Sequence, residues 1–331
     1  NAVKIARSVS GKFKILTRYR SYHGATMGAI ALTGDRRRLA WEPNVMPGVV
    51  HFLYPYLYRS AFFKDFESIP EEECSQVYLE NLEEVILCEG PSTIAAILIE
   101  PVTGTNGIII PPKSYLKGLR DLCTKHNLLM IADEVMTGFG RTGKWFAVDH
   151  WDVVPDIITM AKGLTSGYAP LGAVAMKPEI AKYFNDKVYY GGLTYNGHPL
   201  SLSAAVANIQ VIQQDKLIDK SAKRGITLKK ALSNLKDKHP CVGDVRSIGL
   251  FGVIELVKNR QTKKPLSEFN KPLSDEMVKV KNYILDNGVF LYVTFNMILI
   301  IPPLIISDAQ LEEGLNIIDQ ALDIADDFYE M

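Results

Sequence analysis

Two near-continuous apolar runs, "IAAILIEPV" (94–102) and "LLMIADEV" (128–135), constrain this chain more than any other feature. A strand with one wet face alternates apolar and polar residues. A run without alternation belongs to a strand covered on both faces, as in a parallel sheet between helical layers. "PPKSYLKGLRDLCTKHN" (111–127) joins the two runs. There Tyr115, Leu116, Leu119, Leu122 and Cys123 recur on one helical face, and Pro112 suits the first turn. Strand, helix and strand at this spacing make a βαβ unit. Residues 13–19, "DIITMAK" (156–162) and "GAVAM" (172–176) read as further strands, so the expected fold is α/β with a mainly parallel central sheet.

A long helical region starts near residue 199, and after it the texture changes. The stretches 243–257 and 289–302 read as strands. Between them a helix over 274–287 ends at Gly288, a natural left-handed C-cap. A last helix starts at Ser307 with Gln310 three residues on, a capping box, and places Leu311, Leu315, Ile318, Leu322 and Ala325 on one face. The expected domains are a large one over 1–205 and a smaller C-terminal α+β one over 206–331. The opening "NAVKIARSVSGK", without an initiator Met, reads as a helix already under way, and an N-terminal portion is expected to be missing.

Lys+Arg and Asp+Glu balance at 37 each, which argues against a nucleic-acid or membrane-surface binder. "MILIIPPLII" (297–306) is too short to span a bilayer. Cys74, Cys88, Cys123 and Cys241 lie far apart without CxxC spacing, as thiols of a reducing cytoplasm do. The six histidines form no ligand-spaced pair, so no metal is expected.

Glu100 and Asp133 end apolar strands, and Lys162 ends a third, followed by the Gly/Ser/Thr-rich "GLTSG". Ligands of open α/β sheets bind beyond the carboxyl ends of the strands, the edge these three residues share. Taken singly, each is equally a solvated or satisfied strand-end group. Together, a lysine amine and a carboxylate suit pyridoxal 5'-phosphate: the amine binds the aldehyde, and the carboxylate keeps the pyridine nitrogen protonated. "SYHGATMGAIALTGD" (21–35) supplies an aromatic for ring stacking.

The blocks "IEPVTGTNGIIIPPKSYLKGLRDLC", "IADEVMTGFGRTG", "PDIITMAKGLTSGYAPLGAV" and "GGLTYNGHPL" together resemble the class III (omega) aminotransferases of pyridoxal-phosphate fold type I, in the right order over nearly the whole chain. "GLTYNGHP" and "PPLIIS" are most similar to the taurine- and β-alanine:pyruvate-type members. The resemblance implies that Lys162 binds the cofactor and shuttles the proton, and that Asp133 pairs with the pyridine nitrogen. Tyr22 and Val135 would take opposite ring faces, with His23 and Gly24 beside the aromatic. Glu100 would support the ring side of the pocket. Thr194 would reach the cofactor phosphate of the neighbouring subunit, so the resemblance implies a homodimer with shared sites. It also implies transfer from an ω-amino acid or amine to a 2-oxo acid such as pyruvate or 2-oxoglutarate. Arg141 and His198 read as structural.

Three departures from that pattern bear on substrate and cofactor. The phosphate-cradling "GSEA"-like turn is absent. Thr105 stands where ornithine- and GABA-type relatives carry glutamate. No arginine precedes "PPL"; Tyr292 and Thr294 occupy the candidate positions, and Lys258 and Arg260 are either substitutes or a solvated loop. An aminomutase, decarboxylase or phospholyase on the same scaffold, or a non-catalytic relative, stays open on the residues alone.

Overall fold

In the computed structural model, which describes residues 1–42 and 44–330, the chain divides into two compact units. The first holds residues 1–139 and 146–215; the second holds residues 140–145 and the chain from Lys216 onward. The expected ranges 1–205 and 206–331 each include one residue outside the described set, Pro43 and Met331.

The first unit runs α1 (Ala2–Ser10), β1 (Lys14–Arg18), α2 (Met27–Leu32), β2 (Val49–Phe52), α3 (Glu71–Glu89), β3 (Ile94–Ile99), α4 (Tyr115–Lys125), β4 (Leu129–Asp133), β5 (Ile157–Met160), β6 (Ala173–Met176), α5 (Pro178–Lys182) and α6 (Pro199–Gln214). Its six strands lie in the order β2-β1-β3-β4-β5-β6. All neighbours are parallel except β5 and β6, which run antiparallel from Ile157↔Met176 to Met160↔Ala173. All six residues of β3 are buried, which is why its sequence does not alternate. Each fully buried Ile or Leu there contributes about 2 kcal/mol, so β3 anchors the middle of the sheet. Against it pack Ala2, Ile5 and Ala6 of α1 together with Ile15, Ile131 and Ile157.

The strand order reverses between β1 and β3: β2 lies to one side of β1, and β3, β4 and β5 follow in turn on the other. The loops leaving β1 and β3 therefore diverge at their carboxyl ends, the usual place for a ligand in such a sheet.

The second unit contains α7 (Leu217–Lys238), β7 (Val242–Ser247), β8 (Gly252–Asn259), β9 (Lys264–Pro265), α8 (Asp275–Asp286), β10 (Tyr292–Thr294), β11 (Met297–Ile300) and α9 (Asp308–Asp326). Its sheet is antiparallel in the order β10-β11-β8-β7, with β9 paired to β8. One apolar cluster joins α7, α8 and α9 to it through Leu228, Leu232, Ile254, Met277, Val280, Ile298, Leu315 and Leu322.

Several expectations are refined. The helical region after residue 199 is two helices, broken at Lys216, whose φ of +51° cannot continue a helix. The stretches 243–257 and 289–302 are each a strand pair, turning at 248–251 and at 295–296. Pro112 precedes α4 rather than sitting in its first turn, since the helix starts at Tyr115. The two signalled caps are present. Ser307 accepts from the Gln310 N–H while Gln310 reaches back to the Ser307 N–H. Gly288, at φ +86°, donates to Leu285 O while Val289 donates to Ile284 O, a Schellman ending of α8.

Candidate active site

Glu100 leaves β3 with a buried carboxylate and binds both diverging loops at once. Its Oε1 accepts the Tyr22 N–H at 2.9 Å and its Oε2 accepts the Gly104 N–H at 2.6 Å. Arg18 Nη2, at the end of β1 and fully buried, balances the charge at 3.4 Å. Glu100 thus fixes the backbone that presents Tyr22, rather than offering a free carboxylate.

Asp133 ends β4 and is buried as well. Oδ2 takes a hydrogen bond from His23 Nδ1 at 2.7 Å, and Oδ1 takes one from the Val135 N–H at 3.1 Å. His23 Nε2 lies 3.3 Å from Thr17 Oγ1, so the imidazole is held at both ring nitrogens, and the His23 backbone N–H donates to Thr33 Oγ1 at 3.0 Å. A carboxylate accepts about four hydrogen bonds, and two donors leave Asp133 room for a further N–H. A protonated ring nitrogen has the chemistry to supply it.

Lys162 follows β5 with φ +43°, a left-handed conformation that is strained for a residue with a side chain and recurs at functional sites. Desolvation by the protein around its exposed side chain lowers the pKa of its amine; Glu100 and Asp133 oppose that shift and Arg37 adds to it. Among the described residues, Lys162 Nζ has no hydrogen-bond or ion-pair partner. An amine with a lowered pKa, a buried carboxylate and an aromatic side chain fit the aldehyde and ring of pyridoxal phosphate.

The structure brings together Tyr22, His23, Glu100, Asp133, Val135 and Lys162. Gly24 follows His23 directly, at φ +130°, where a Cβ would come within 3.0 Å of the Ala29 Cβ. The contact recorded for Val135 is made by its backbone N–H. Thr194 stands apart: it is exposed and, among the described residues, makes no side-chain hydrogen bond to this group. Arg141 is structural, donating from Nη1 to Leu250 O and Pro302 O within the second unit, where burial brings its pKa down to about 10. His198 caps α6, its Nδ1 accepting the Leu200 N–H.

Sequence reading missed one role and one residue of the site. His23 orients the aspartate, a role that no spacing between residues 23 and 133 could signal. Arg37 lies in "GDRRR", which carries no motif that points to a site. In the structure its guanidinium stacks 3.6 Å from the Tyr22 ring centroid and grips Asp35 through Nε and Nη2. Asn106 holds Asp35 from the other side at 3.0 Å. Burial would raise the Asp35 pKa, but the hydrogen bonds from Arg37 and Asn106 outweigh it and keep the pKa below the ordinary range.

The family described as "Aminotransferase class-III" matches residues 1–322. The chain is 33% identical over 311 residues to the putrescine–pyruvate aminotransferase of Pseudomonas aeruginosa, covering 93% of this chain and 66% of that protein. It is 36% identical over 342 aligned positions to the taurine–pyruvate aminotransferase of Bilophila wadsworthia, covering 97% of this chain and 72% of that protein. It is also similar to the structure of taurine:2-oxoglutarate aminotransferase from Bifidobacterium kashiwanohense in complex with pyridoxal phosphate and glutamate. That likeness has a TM-score of 0.94 and 42% identity, over 98% of this chain and 72% of that one. With this sheet, this lysine–aspartate pair and these relatives, the chain belongs to the class III aminotransferases, a pyridoxal-phosphate-dependent family of fold type I.

Proposed function

We propose that this protein moves an amino group from an ω-amino acid or amine, of the taurine or β-alanine kind, to a 2-oxo acid such as pyruvate or 2-oxoglutarate. The observation that carries the reading is Asp133, buried and aimed by His23 and the Val135 N–H on the strand next to the one that delivers Lys162. When bound, pyridoxal phosphate supplies an aldehyde that takes the amino nitrogen and a ring that withdraws electrons from the donor carbon.

The chain's own residues do the rest. Lys162 would hold the cofactor; once released it takes the proton from the carbon bearing the amino group and returns it. The lowering of its pKa favours the neutral form that a base requires. Asp133 keeps a proton on the ring nitrogen by charge alone, and His23 fixes the direction in which it does so. Tyr22 and Val135 would hold the ring between them, and Gly24 would let the loop pass close by. Glu100 keeps Tyr22 in place.

The same reading assigns Thr194 to the phosphate of a neighbouring subunit and so calls for a homodimer. Its support is the exposed apolar surface around Thr194: Val188, Tyr190, Leu193, Tyr195 and Leu200 all stand in solvent in the single chain. A cytoplasmic location is supported by four free cysteines, and no helix among the described residues is long and apolar enough to cross a membrane.

The test is a donor screen on the purified protein with pyridoxal phosphate and either acceptor, following the oxo product. Taurine, β-alanine or a diamine is expected to be converted, and Lys162→Ala to lower the rate by about 10³-fold or more. Absence of transfer from every donor refutes the reading.

A further inference from the structure

Lys162 is presented by a tight turn at the end of β5 rather than by the strand itself. Thr159 pairs with Asp133, and Lys162 lies three residues further along the chain. There the backbone bends sharply: φ is +43° at Lys162, +50° at Ser166 and +80° at Gly167. Within the turn, the Leu164 N–H donates to Ala161 O at 2.9 Å and the Thr165 N–H to Lys162 O at 3.2 Å. Thr165 Oγ1 donates to Ala169 O at 2.6 Å. The Gly163 and Leu164 carbonyls are met by a side chain from far along the sequence.

That side chain is Asn208, in the middle of α6. Its Nδ2 donates to Gly163 O at 2.7 Å and to Leu164 O at 3.1 Å, while its Oδ1 accepts from Ser166 Oγ at 2.8 Å. Asn208 falls on the face of α6 that buries Ser201, Ala205 and Ile212. An apolar residue would ordinarily fill that stripe, and asparagine is a weak helix former because its amide competes for backbone groups. Here the backbone groups it takes belong to the turn that carries the lysine. Phe139 makes a second contact: a Cβ on Gly163 would come within 3.0 Å of the Phe139 Cβ. A left-handed residue with a side chain keeps that conformation only where its surroundings over-determine it, and the Asn208 amide supplies three of the bonds that do so.

We propose that Asn208 is a positioning residue for Lys162: its amide ties the lysine's turn to α6 and so sets where the amine points. The proposal rests on the transaminase reading, in which Lys162 holds the cofactor and moves the proton. Proton transfer tolerates little misplacement, and a shift of about 1 Å costs about 100-fold in rate. Asn208 acts through Lys162 and not on the substrate, so its loss is felt in kcat rather than in donor binding.

The experiment compares wild type with two variants. Asn208→Leu keeps the volume and the absence of charge but loses all three hydrogen bonds, and Asn208→Gln restores an amide on a longer stem. Each is loaded with pyridoxal phosphate and assayed with taurine, β-alanine or putrescine, whichever wild type converts fastest. Asn208→Leu is expected to lower kcat by about 10- to 100-fold with KM for the donor unchanged, and Asn208→Gln to fall between the two. On the cofactor-free proteins, acetylation of Lys162 by acetic anhydride is followed by peptide mass across pH. Desolvation now lowers the pKa of the amine, so a released turn lets it rise, and the Asn208→Leu profile is expected to move to higher pH. Neither substitution changes a charge, so the move reports a displaced amine.

Wild-type kcat in Asn208→Leu overturns the proposal. So does an unchanged Lys162 profile, because any loss of rate would then arise elsewhere in the fold. If Asn208→Leu does not fold, the same two readouts pass to Asn208→Gln and to Ser166→Ala, which removes the hydroxyl bound to the amide oxygen. Wild-type values in both overturn the proposal. Transfer from no donor by wild type, with the Lys162 profile still dependent on Asn208, removes the transaminase reading and leaves the positioning role standing.

Discussion

Both units bury charge, but they do so to opposite ends. In the second unit His239 is 1% exposed, and its two ring nitrogens meet Asp326 at 2.6 Å and Asp319 at 2.8 Å. Asp326 also accepts the Cys241 N–H, and Arg260 donates to His239 O at 2.6 Å. The ligand atoms of His239, Asp323 and Asp326 lie within 4.8 Å of one another, yet the cluster is closed by its own hydrogen bonds. Its hydrogen bonds tie α9 to the end of α7. In the first unit the pairs Arg18–Glu100, His23–Asp133 and Arg37–Asp35 surround an amine that has no partner among the described residues. Buried charge alone does not mark a site. A matched set arranged around one unmatched, strained lysine does.

The sharpest way to break that contrast is to neutralise one charge on each side. Asp133→Asn keeps the shape and removes the anion, so transfer is expected to fall by about 10²- to 10³-fold with little change in the urea midpoint. Steady-state rates on the folded variant measure it, and near-wild-type turnover would refute the role of Asp133. His239→Gln should do the reverse. It strips two half-buried carboxylates of their partner and should cost about 1 kcal/mol in urea unfolding, while turnover per folded molecule is unchanged. If His239→Gln were to abolish transfer in the folded protein, the division between a structural and a functional cluster would be lost.

The smallest expected effect is a shift in pH dependence. Desolvation and the Arg37 charge both lower the Lys162 pKa, so the rising limb of the rate should lie below the ordinary lysine range. Removing a cation makes protonation of the amine easier, which raises its pKa. The limb of Arg37→Gln should therefore move to higher pH, measured as kcat/KM for putrescine against pH. A downward move would mean that Arg37 does not act on the amine.

Much of the fold was legible wherever burial leaves a pattern. β3 and β4 are buried on both faces and read as unbroken apolar runs, and α4 and α9 showed their apolar stripes. β2 is only four residues long, and α3 carries a single narrow stripe at Cys74, Tyr78, Leu82 and Ile86 among many acids, so neither stood out. The antiparallel turn of β6 was invisible too, because strand direction depends on the path of the connection and leaves no trace in four residues.

The site divides in the same way. Lys162, Asp133 and Glu100 could be picked out from sequence because a polar residue closing an apolar strand is costly unless it is used. That much the chain's own chemistry determined: a parallel sheet, a carboxyl-end site, and an amine and an acid within it. The partners of those residues were decided only by tertiary structure. His23 meets Asp133 across 110 positions of chain, and Asn106 meets Asp35 across 71. The reason is physical: spacing along a strand or helix records which face a residue occupies, whereas pairing across strands records how loops of unrelated sequence converge at one end of a sheet.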